Sequence, residues 1–192
     1  MLSVVIATQD SERTLVPTLA ALVGGAAAGM VREVIVADSG SRDATAAIAD
    51  DAGCRLITSA ANRGARLKAG ADAARGNWLL FLQPGVVPDP TWVDETRGFV
   101  EHAELAGRAD LAATFRKVSA PFRPPMADAL DLFRAALGGR PKASQGLLIA
   151  ASLYAALGGH REVEAPEVDL IRRLGRRRIV LLRTGVFVRT DT

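Results

Sequence analysis

Cysteine and histidine are nearly absent from this chain of 192 residues. The single cysteine, Cys54, excludes an intramolecular disulfide framework and leaves no cysteine cluster for zinc. The two histidines, His102 and His160, are far apart in the sequence. Neither has the local signature of a His-based metal site or of a Ser-His-Asp arrangement. We therefore interpret Cys54 as a core residue and both histidines as ordinary surface or helix residues.

Long apolar runs are missing too, although 49% of the residues are hydrophobic. No run approaches the roughly 18 residues that would span a bilayer. Met1 leads directly into Leu2-Ser3-Val4-Val5-Ile6, without the basic region and cleavage site of a signal peptide. These features predict one compact domain with no membrane span and a cytoplasmic location.

Aromatic residues and net charge are both low, with nine aromatics and a net charge of +3. Aromatic and basic residues are not interleaved as they are in proteins that stack nucleic-acid bases. Nucleic acid is therefore not an expected partner. Arg outnumbers Lys 21 to 3, which favours planar contacts with carboxylate or phosphate wherever the arginines cluster.

What the first half does contain is an alternation of short apolar runs with helical patterns. This alternation predicts an α/β fold with a mainly parallel central sheet flanked by helices. The predicted strands are Leu2–Ala7, Val34–Ala37, Arg55–Thr58 and Asn77–Leu82. Capping signals predict helices from Ser11 to Leu22 with an end at Gly24-Gly25, from Ser41 or Asp43 to Ala52, from Gly64 to Arg75 with Asn62 as N-cap, and from Asp89-Pro90 to Leu105.

The second half is less regular. Strands are predicted over 111–118, 147–150, 179–182 and 186–188, and helices over 152–157 and 166–174. Met126, Leu130, Phe133 and Leu137 recur at helical spacing, which is more typical of core packing than of an acceptor or membrane surface. Pro121, Pro124 and Pro125 predict a loop before that helix.

Four polar loops follow the predicted parallel strands. In open parallel sheets, ligands bind in the crevice at the carboxyl ends of the strands. Here those loops are Thr8–Glu12, Asp38–Asp43, Asn62–Lys68 and Gln83–Val87. No G-x-G-x-x-G or G-x-x-x-x-G-K-[ST] phosphate loop follows any of the strands, so dinucleotide-binding and P-loop functions are not favoured.

Two segments carry a family resemblance: residues 3–15, SVVIATQDSERTL, and residues 33–45, EVIVADSGSRDAT. They resemble the opening motifs of family-2 glycosyltransferases, close to S-V-I-I-P-T-Y-N-x-E-x-x-L and E-I-I-V-V-D-x-G-S-x-D-x-T. The similarity continues through Asn62-Arg63-Gly64, residues 74–82, Ser144-Gln145-Gly146-Leu147 and Leu157-Gly158-Gly159. The most similar subgroup is the short family-2-like proteins without membrane helices.

The resemblance implies a single GT-A domain over residues 1–192, with a nucleotide-binding half (1–106) and an acceptor and catalytic half (107–192). It implies a nucleoside-diphosphate sugar as ligand, with Thr8, Glu12 and Asp38 contacting the nucleoside, and transfer of the sugar with inversion to an unidentified acceptor. For Asp43, a role at a helix N-terminus is at least as good an explanation as ligand contact.

The chain departs from the family pattern where the chemistry is expected. The metal-binding D-x-D motif is replaced by Gln83-Pro84-Gly85, which contains no carboxylate. The family's G-D-Q becomes Ala143-Ser144-Gln145, and its E-D pair becomes Pro166-Glu167. Glu167 therefore stands where the resemblance places the general base, although a first-turn helix acid explains it equally well.

Without D-x-D, cations must offset the diphosphate charge. Arg63, Arg66 and Lys68 lie at the start of the third predicted helix, where backbone N–H groups also favour anions. We therefore expect no cofactor, with Mn²⁺ or Mg²⁺ not favoured, and include Gln83 and Gly85 in the nucleotide-sugar site by position. The alternative function is a catalytically degenerate GT-A-like binding or regulatory module. Acids that could supply a displaced metal ligand are Asp89 and Asp94.

Overall fold

The computed structural model describes residues 1–118 and 145–189. Within these ranges eight strands form one sheet in the order β3-β2-β1-β4-β7-β6-β8-β5. The strands are β1 (Leu2–Thr8), β2 (Val31–Asp38), β3 (Arg55–Thr58), β4 (Trp78–Leu82), β5 (Val86–Pro88), β6 (Ala112–Lys117), β7 (Leu147–Ala150) and β8 (Ile179–Val188). β7 and β5 run against the other strands, so the predicted mainly parallel sheet is confirmed.

Six helices accompany the strands in the described part of the chain. They are α1 (Glu12–Ala27), α2 (Thr45–Asp51), α3 (Arg63–Asp72), α4 (Trp92–Leu105), α5 (Ala151–Ala156) and α6 (Pro166–Leu174). A single 3-10 turn over Arg176–Arg178 leads into β8. None of these helices is long and apolar enough to cross a membrane.

The core lies around β1 and β4, two adjacent inner strands in which every residue is buried. Their apolar runs are continuous because both faces of a parallel sheet are covered by other elements. Leu80 and Leu148 are fully buried on paired strands. Each such side chain contributes about 1.5–3 kcal/mol through burial.

α1 does not end at Gly24-Gly25 as predicted but continues to Ala27. Gly25 lies against the indole of Trp92, and a Cβ there would lie 2.6 Å from Trp92 Cζ2. Trp92 Nε1 also donates to the carbonyl oxygen of Ala21 at 3.0 Å. The glycine therefore allows close packing of α4 on α1 and does not terminate the helix.

Three other sequence predictions need correction. α2 begins at Thr45, later than Ser41 or Asp43, because Asp43 accepts hydrogen bonds from the Thr45 amide and hydroxyl. α4 begins at Trp92, since Asp89 caps the preceding turn through the Thr91 amide. The two strand pieces predicted near the C-terminus form one continuous strand, β8.

Strand β5 was not predicted. It pairs with β8 in antiparallel register, and Gly85, with φ +85°, turns the chain into it. Ala143, Ser144, the loop predicted over 121–125 and the helix predicted over 126–137 lie outside the described residues.

Candidate active site

The carboxyl ends of the parallel strands line up at one edge of the sheet. Thr8 pairs with Asp38 across β1 and β2, and Asp38 pairs with Thr58 across β2 and β3. A cleft of about 870 Å³ opens at this edge, within the size range of small-molecule sites. It is lined by Ala7, Gln9, Asp10, Ser11, Thr14, Ser39, Gly40, Arg42, Ala60, Ala61, Asn62, Arg63, Arg66, Gln83 and Pro84.

One wall of the cleft is formed by two loops that are hydrogen-bonded to each other; we refer to residues 9–12 and 39–45 as the loop pair. Asp10 Oδ1 accepts from the Arg42 amide at 2.8 Å, and the Asp10 amide donates to Ser41 Oγ at 2.8 Å. Asp43 accepts from the Glu12 amide at 3.0 Å, while Glu12 accepts from the Ala44 amide at 3.1 Å. Acids of each loop thus bind amide groups of the other loop, including those at the start of α1 and α2.

Asp38 anchors this wall from below. Its side chain is 1% exposed and accepts from Thr8 Oγ1 at 2.7 Å, from Ser41 Oγ at 2.5 Å and from the amides of Gly40 and Ser41 at 2.8 and 2.7 Å. Burial by itself would raise the pKa of Asp38, but the hydrogen bonds outweigh it and lower the pKa below its usual value. The carboxylate is therefore ionised at neutral pH.

Direct nucleoside contact by Thr8, Glu12 and Asp38 stays a prediction. Each has a side-chain oxygen in hydrogen bonds within or beneath the loop pair. The residues of the loop pair that face the cleft are their neighbours, among them Gln9, Asp10, Ser39 and Arg42, none of which the sequence reasoning selected. Their position within the same two predicted loops is the sequence signal that could have identified them.

The floor of the cleft holds two arginines from α3; we call Arg63 and Arg66 the arginine floor. Asn62 caps α3 by accepting from the Ala65 amide at 3.0 Å, as predicted. Arg63 Nη1 donates to the Ala7 carbonyl oxygen at 3.2 Å, and Arg66 Nη1 donates to the Thr8 carbonyl oxygen at 2.6 Å. Both guanidinium groups therefore lie beneath the end of β1.

Each of these guanidinium groups retains a buried nitrogen without a partner in the described part of the chain: Arg63 Nη2 and Arg66 Nε. Arg66 is only 5% exposed and forms no ion pair there. Burial and the charge of Arg63 lower the pKa of Arg66, while Asp38 opposes the shift. A buried guanidinium without an ion-pair partner is costly unless an anion approaches.

Glu167, the predicted base, lies on α6 next to the arginine floor. Its Oε1 accepts from Arg63 Nε at 2.7 Å and from Gln83 Nε2 at 3.2 Å, and its side chain is 13% exposed. Burial would raise the pKa of Glu167, but Arg63 and the hydrogen bonds outweigh it and hold the pKa below its usual value. The structure thus brings together Arg63, Gln83 and Glu167.

Lys68 and Gly85 do not join that group. Lys68 Nζ pairs with Asp72 at 2.8 Å on an exposed face of α3. Gly85 is buried between α1 and Arg189, where its amide donates to the Thr14 carbonyl oxygen and the Arg189 amide donates to its carbonyl oxygen. A Cβ at Gly85 would lie 2.2 Å from the Arg189 carbonyl oxygen, so this residue serves packing.

The residues at the end of β4 do not fit a divalent cation. Mn²⁺ and Mg²⁺ prefer carboxylate oxygens, and residues 83–85 offer only a neutral amide and backbone carbonyls. Asp89 is bonded to Thr91, and neither Asp89 nor Asp94 lines the cleft. Over residues 1–118 and 145–189, no three acids, histidines or cysteines cluster as metal ligands would.

Comparison with known proteins identifies the class. The family model for glycosyl transferase family 2 matches residues 3–121, more than half of the chain. The chain belongs to glycosyl transferase family 2. No curated protein sequence matches it significantly.

Solved structures have the same fold at low sequence identity. Glucosyl-3-phosphoglycerate synthase from Mycobacterium tuberculosis, crystallised with Mn²⁺, UDP and glucosyl-3-phosphoglycerate, is 21% identical with a TM-score of 0.72; the match covers 100% of this chain and 73% of that one. S. aureus TarS 1–349 with UDP-GlcNAc is 14% identical with a TM-score of 0.72, covering 100% of this chain and 59% of TarS. The GT-A fold expected from the sequence is confirmed.

Proposed function

We propose that this protein binds a nucleoside-diphosphate sugar in the cleft and transfers the sugar to an acceptor with inversion, without a divalent metal. The observation that supports this most directly is the buried Arg66 guanidinium, which lines the cleft without a paired carboxylate. Arg63 beside it adds a second cation. The two solved relatives crystallised with UDP or UDP-GlcNAc are consistent with this ligand class.

The proposed ligand orientation follows the polarity of the cleft. The nucleoside lies against the loop pair, where Ser39, Gly40 and Arg42 line the wall. The diphosphate lies over the arginine floor and the N-terminal end of α3, which carries partial positive charge. The sugar then points towards Gln83 and Glu167.

In the transfer step, the oxygen of an acceptor hydroxyl attacks the anomeric carbon from the face opposite the diphosphate. Glu167 takes the proton of that hydroxyl as the attack proceeds. The bond from that carbon to the diphosphate oxygen breaks, and the diphosphate leaves with the electron pair. Arg63 and Arg66 offset the negative charge that develops on it. Arg63 therefore contacts both the base and the leaving group.

Two neighbouring cations of α3 provide a matched test. Arg66→Met removes the buried guanidinium, whereas Lys68→Met removes an exposed ammonium two residues away. Calorimetry in EDTA against UDP-, GDP- and dTDP-glucose should show binding of at least one by the wild type. Arg66→Met should weaken that binding by about tenfold or more, the loss expected for a hydrogen bond to a charged group, and Lys68→Met should not. Equal effects of the two variants would overturn the proposed diphosphate site.

A binding or regulatory module is the second candidate, favoured by the Arg63–Glu167 ion pair, which reduces the basicity of Glu167. The transferase and the module can be distinguished by measuring whether the bound nucleotide sugar is cleaved and nucleoside diphosphate is released. A transferase shows slow release that Glu167→Gln abolishes while binding persists. A module binds the nucleotide sugar with no release that depends on Glu167.

A further inference from the structure

His160 lies in a buried pocket between α5 and α6. It is 2% exposed, and its ring packs edge-on against Phe81 with centroids 4.7 Å apart. Nδ1 is 3.0 Å from the hydroxyl of Tyr154, and the same hydroxyl accepts from the His160 amide at 3.0 Å. The imidazole is therefore fixed on one side, contrary to the surface or helix position expected from the sequence.

These contacts determine which ring nitrogen carries the proton. Burial lowers the pKa of His160 from 6.5 to about 4. Glu167 and Asp169 oppose this shift, whereas Arg173 and Arg63 add to it. The ring is thus neutral at pH 7. Because the Tyr154 oxygen already accepts from the His160 amide, its own proton is available for Nδ1, which leaves the imidazole proton on Nε2. Nε2 is a buried donor with no partner in the described part of the chain.

A small cavity of about 10 Å³ adjoins this ring and lies next to the candidate active site. Its polar lining comes from His160, Gln83 and Glu167, and the remainder is apolar, including Leu67 and Phe81. Gln83 lines this cavity and the large cleft. The volume is close to the space needed for one water molecule, and three polar groups are within the range of partners that a buried water requires.

We propose that His160 Nε2–H donates to a single buried water molecule that in turn donates to the Glu167 carboxylate, which makes His160 a positioning residue for Glu167. The inference rests on the proposed function only in naming Glu167 as the base. Arg63 and Gln83 already bind Oε1 of Glu167. The water adds a further donor and fixes the orientation of the carboxylate towards the cleft.

Two measurements on the unliganded wild type test the water site. Imidazole ¹⁵N shifts at pH 7 should show the proton on Nε2, and a crystal structure at high resolution should show a water within hydrogen-bonding distance of both Nε2 and Glu167. A proton on Nδ1, or a water that does not reach Glu167, overturns the proposal. Neither result depends on nucleotide binding, so failure here is distinct from failure of the proposed function.

A pair of variants tests the positioning role. His160→Phe keeps an aromatic ring against Phe81 but removes the donor, whereas His160→Gln provides a side-chain N–H. Titration of the Glu167 carboxyl by ¹³C NMR should show a pKa above that of the wild type in His160→Phe and a return towards the wild-type value in His160→Gln. A Glu167 pKa that is the same in all three proteins overturns the role of His160.

Discussion

The two sides of the cleft differ in how completely their polar groups are paired. In the loop pair, the carboxylates of Asp43 and Glu12 accept hydrogen bonds from backbone amides, and so does Asp38 beneath it. In the arginine floor, Arg63 Nη2 and Arg66 Nε are buried without partners in the described residues. The loop pair is thus organised by the chain itself, whereas the arginine floor keeps unpaired guanidinium nitrogens, which we propose contact the diphosphate of the ligand.

The largest effect is expected at the base of the loop pair. Asp38→Asn replaces one acceptor oxygen with an NH₂ group that faces donors, and it removes a buried charge held by four hydrogen bonds. We expect a loss of at least about 3 kcal/mol in the free energy of unfolding, measured in urea, together with nucleotide binding weakened by roughly tenfold. Asp10→Asn is the control, because the Asp10 carboxylate is exposed and accepts one amide. If both variants lose the same stability, the loop pair is not anchored by Asp38.

The next effect concerns the buried histidine beside the arginine floor. Burial lowers the pKa of His160 from 6.5 to about 4, so the unfolded chain takes up a proton in this range before the folded protein does. The stability from the neutral imidazole is complete above pH 6.5 and is lost as the pH falls to 4, a change of roughly 3 kcal/mol. Urea unfolding at a series of pH values should show that His160→Gln does not have this loss of stability between pH 6.5 and pH 4. Parallel curves for the two proteins would contradict the assignment.

A smaller effect is expected from the arginine floor itself. Arg66→Met should change the free energy of unfolding by less than about 1 kcal/mol, because the variant no longer buries an unpaired charge. The Thr8 carbonyl oxygen keeps its bond from the Ser39 amide. Urea unfolding measures the change, and the same variant should bind nucleotide poorly. A stability loss as large as that of Asp38→Asn would show that Arg66 serves the fold and not a ligand.

The smallest effect is expected from divalent cations. Residues 83–85 provide no carboxylate, so neither EDTA nor Mn²⁺ should change nucleotide-sugar affinity by more than about twofold. Added NaCl should weaken binding, because it screens the contact between the phosphates and the partly exposed Arg63 side chain. Calorimetry with and without Mn²⁺ provides the check, and an affinity about tenfold higher with Mn²⁺ would refute the metal-independent site.

The first half of the fold could be predicted well from sequence because apolar runs and caps are local signals. Asn62 caps α3 as predicted, and β3 has the predicted bounds. Two of the errors occurred where a distant residue determines the outcome. Gly25 remains helical because Trp92 packs against it, and β5 forms because β8 lies beside it.

The candidate site was predictable at the level of loops but less so at the level of atoms. The sequence indicated Arg63, Arg66 and Glu167, yet spacing alone could not show that Arg63 reaches Glu167 across 104 positions. Spacing also could not distinguish Lys68, which faces solvent, from Arg66, which is buried. The burial of His160 could not be predicted from the sequence, because its contacts form only when α5 and β4 pack around it.

The central claim is that the arginine floor binds the diphosphate of a nucleotide. Affinities of uridine and UDP measured by calorimetry in EDTA, for the wild type and Arg66→Met, test it most directly. The account predicts that the wild type binds UDP at least about 100-fold more tightly than uridine, since two charged contacts are added, and that Arg66→Met loses most of this difference. The claim would be contradicted if the wild type bound uridine and UDP equally well. It would also be contradicted if Arg66→Met kept the full wild-type preference for UDP over uridine.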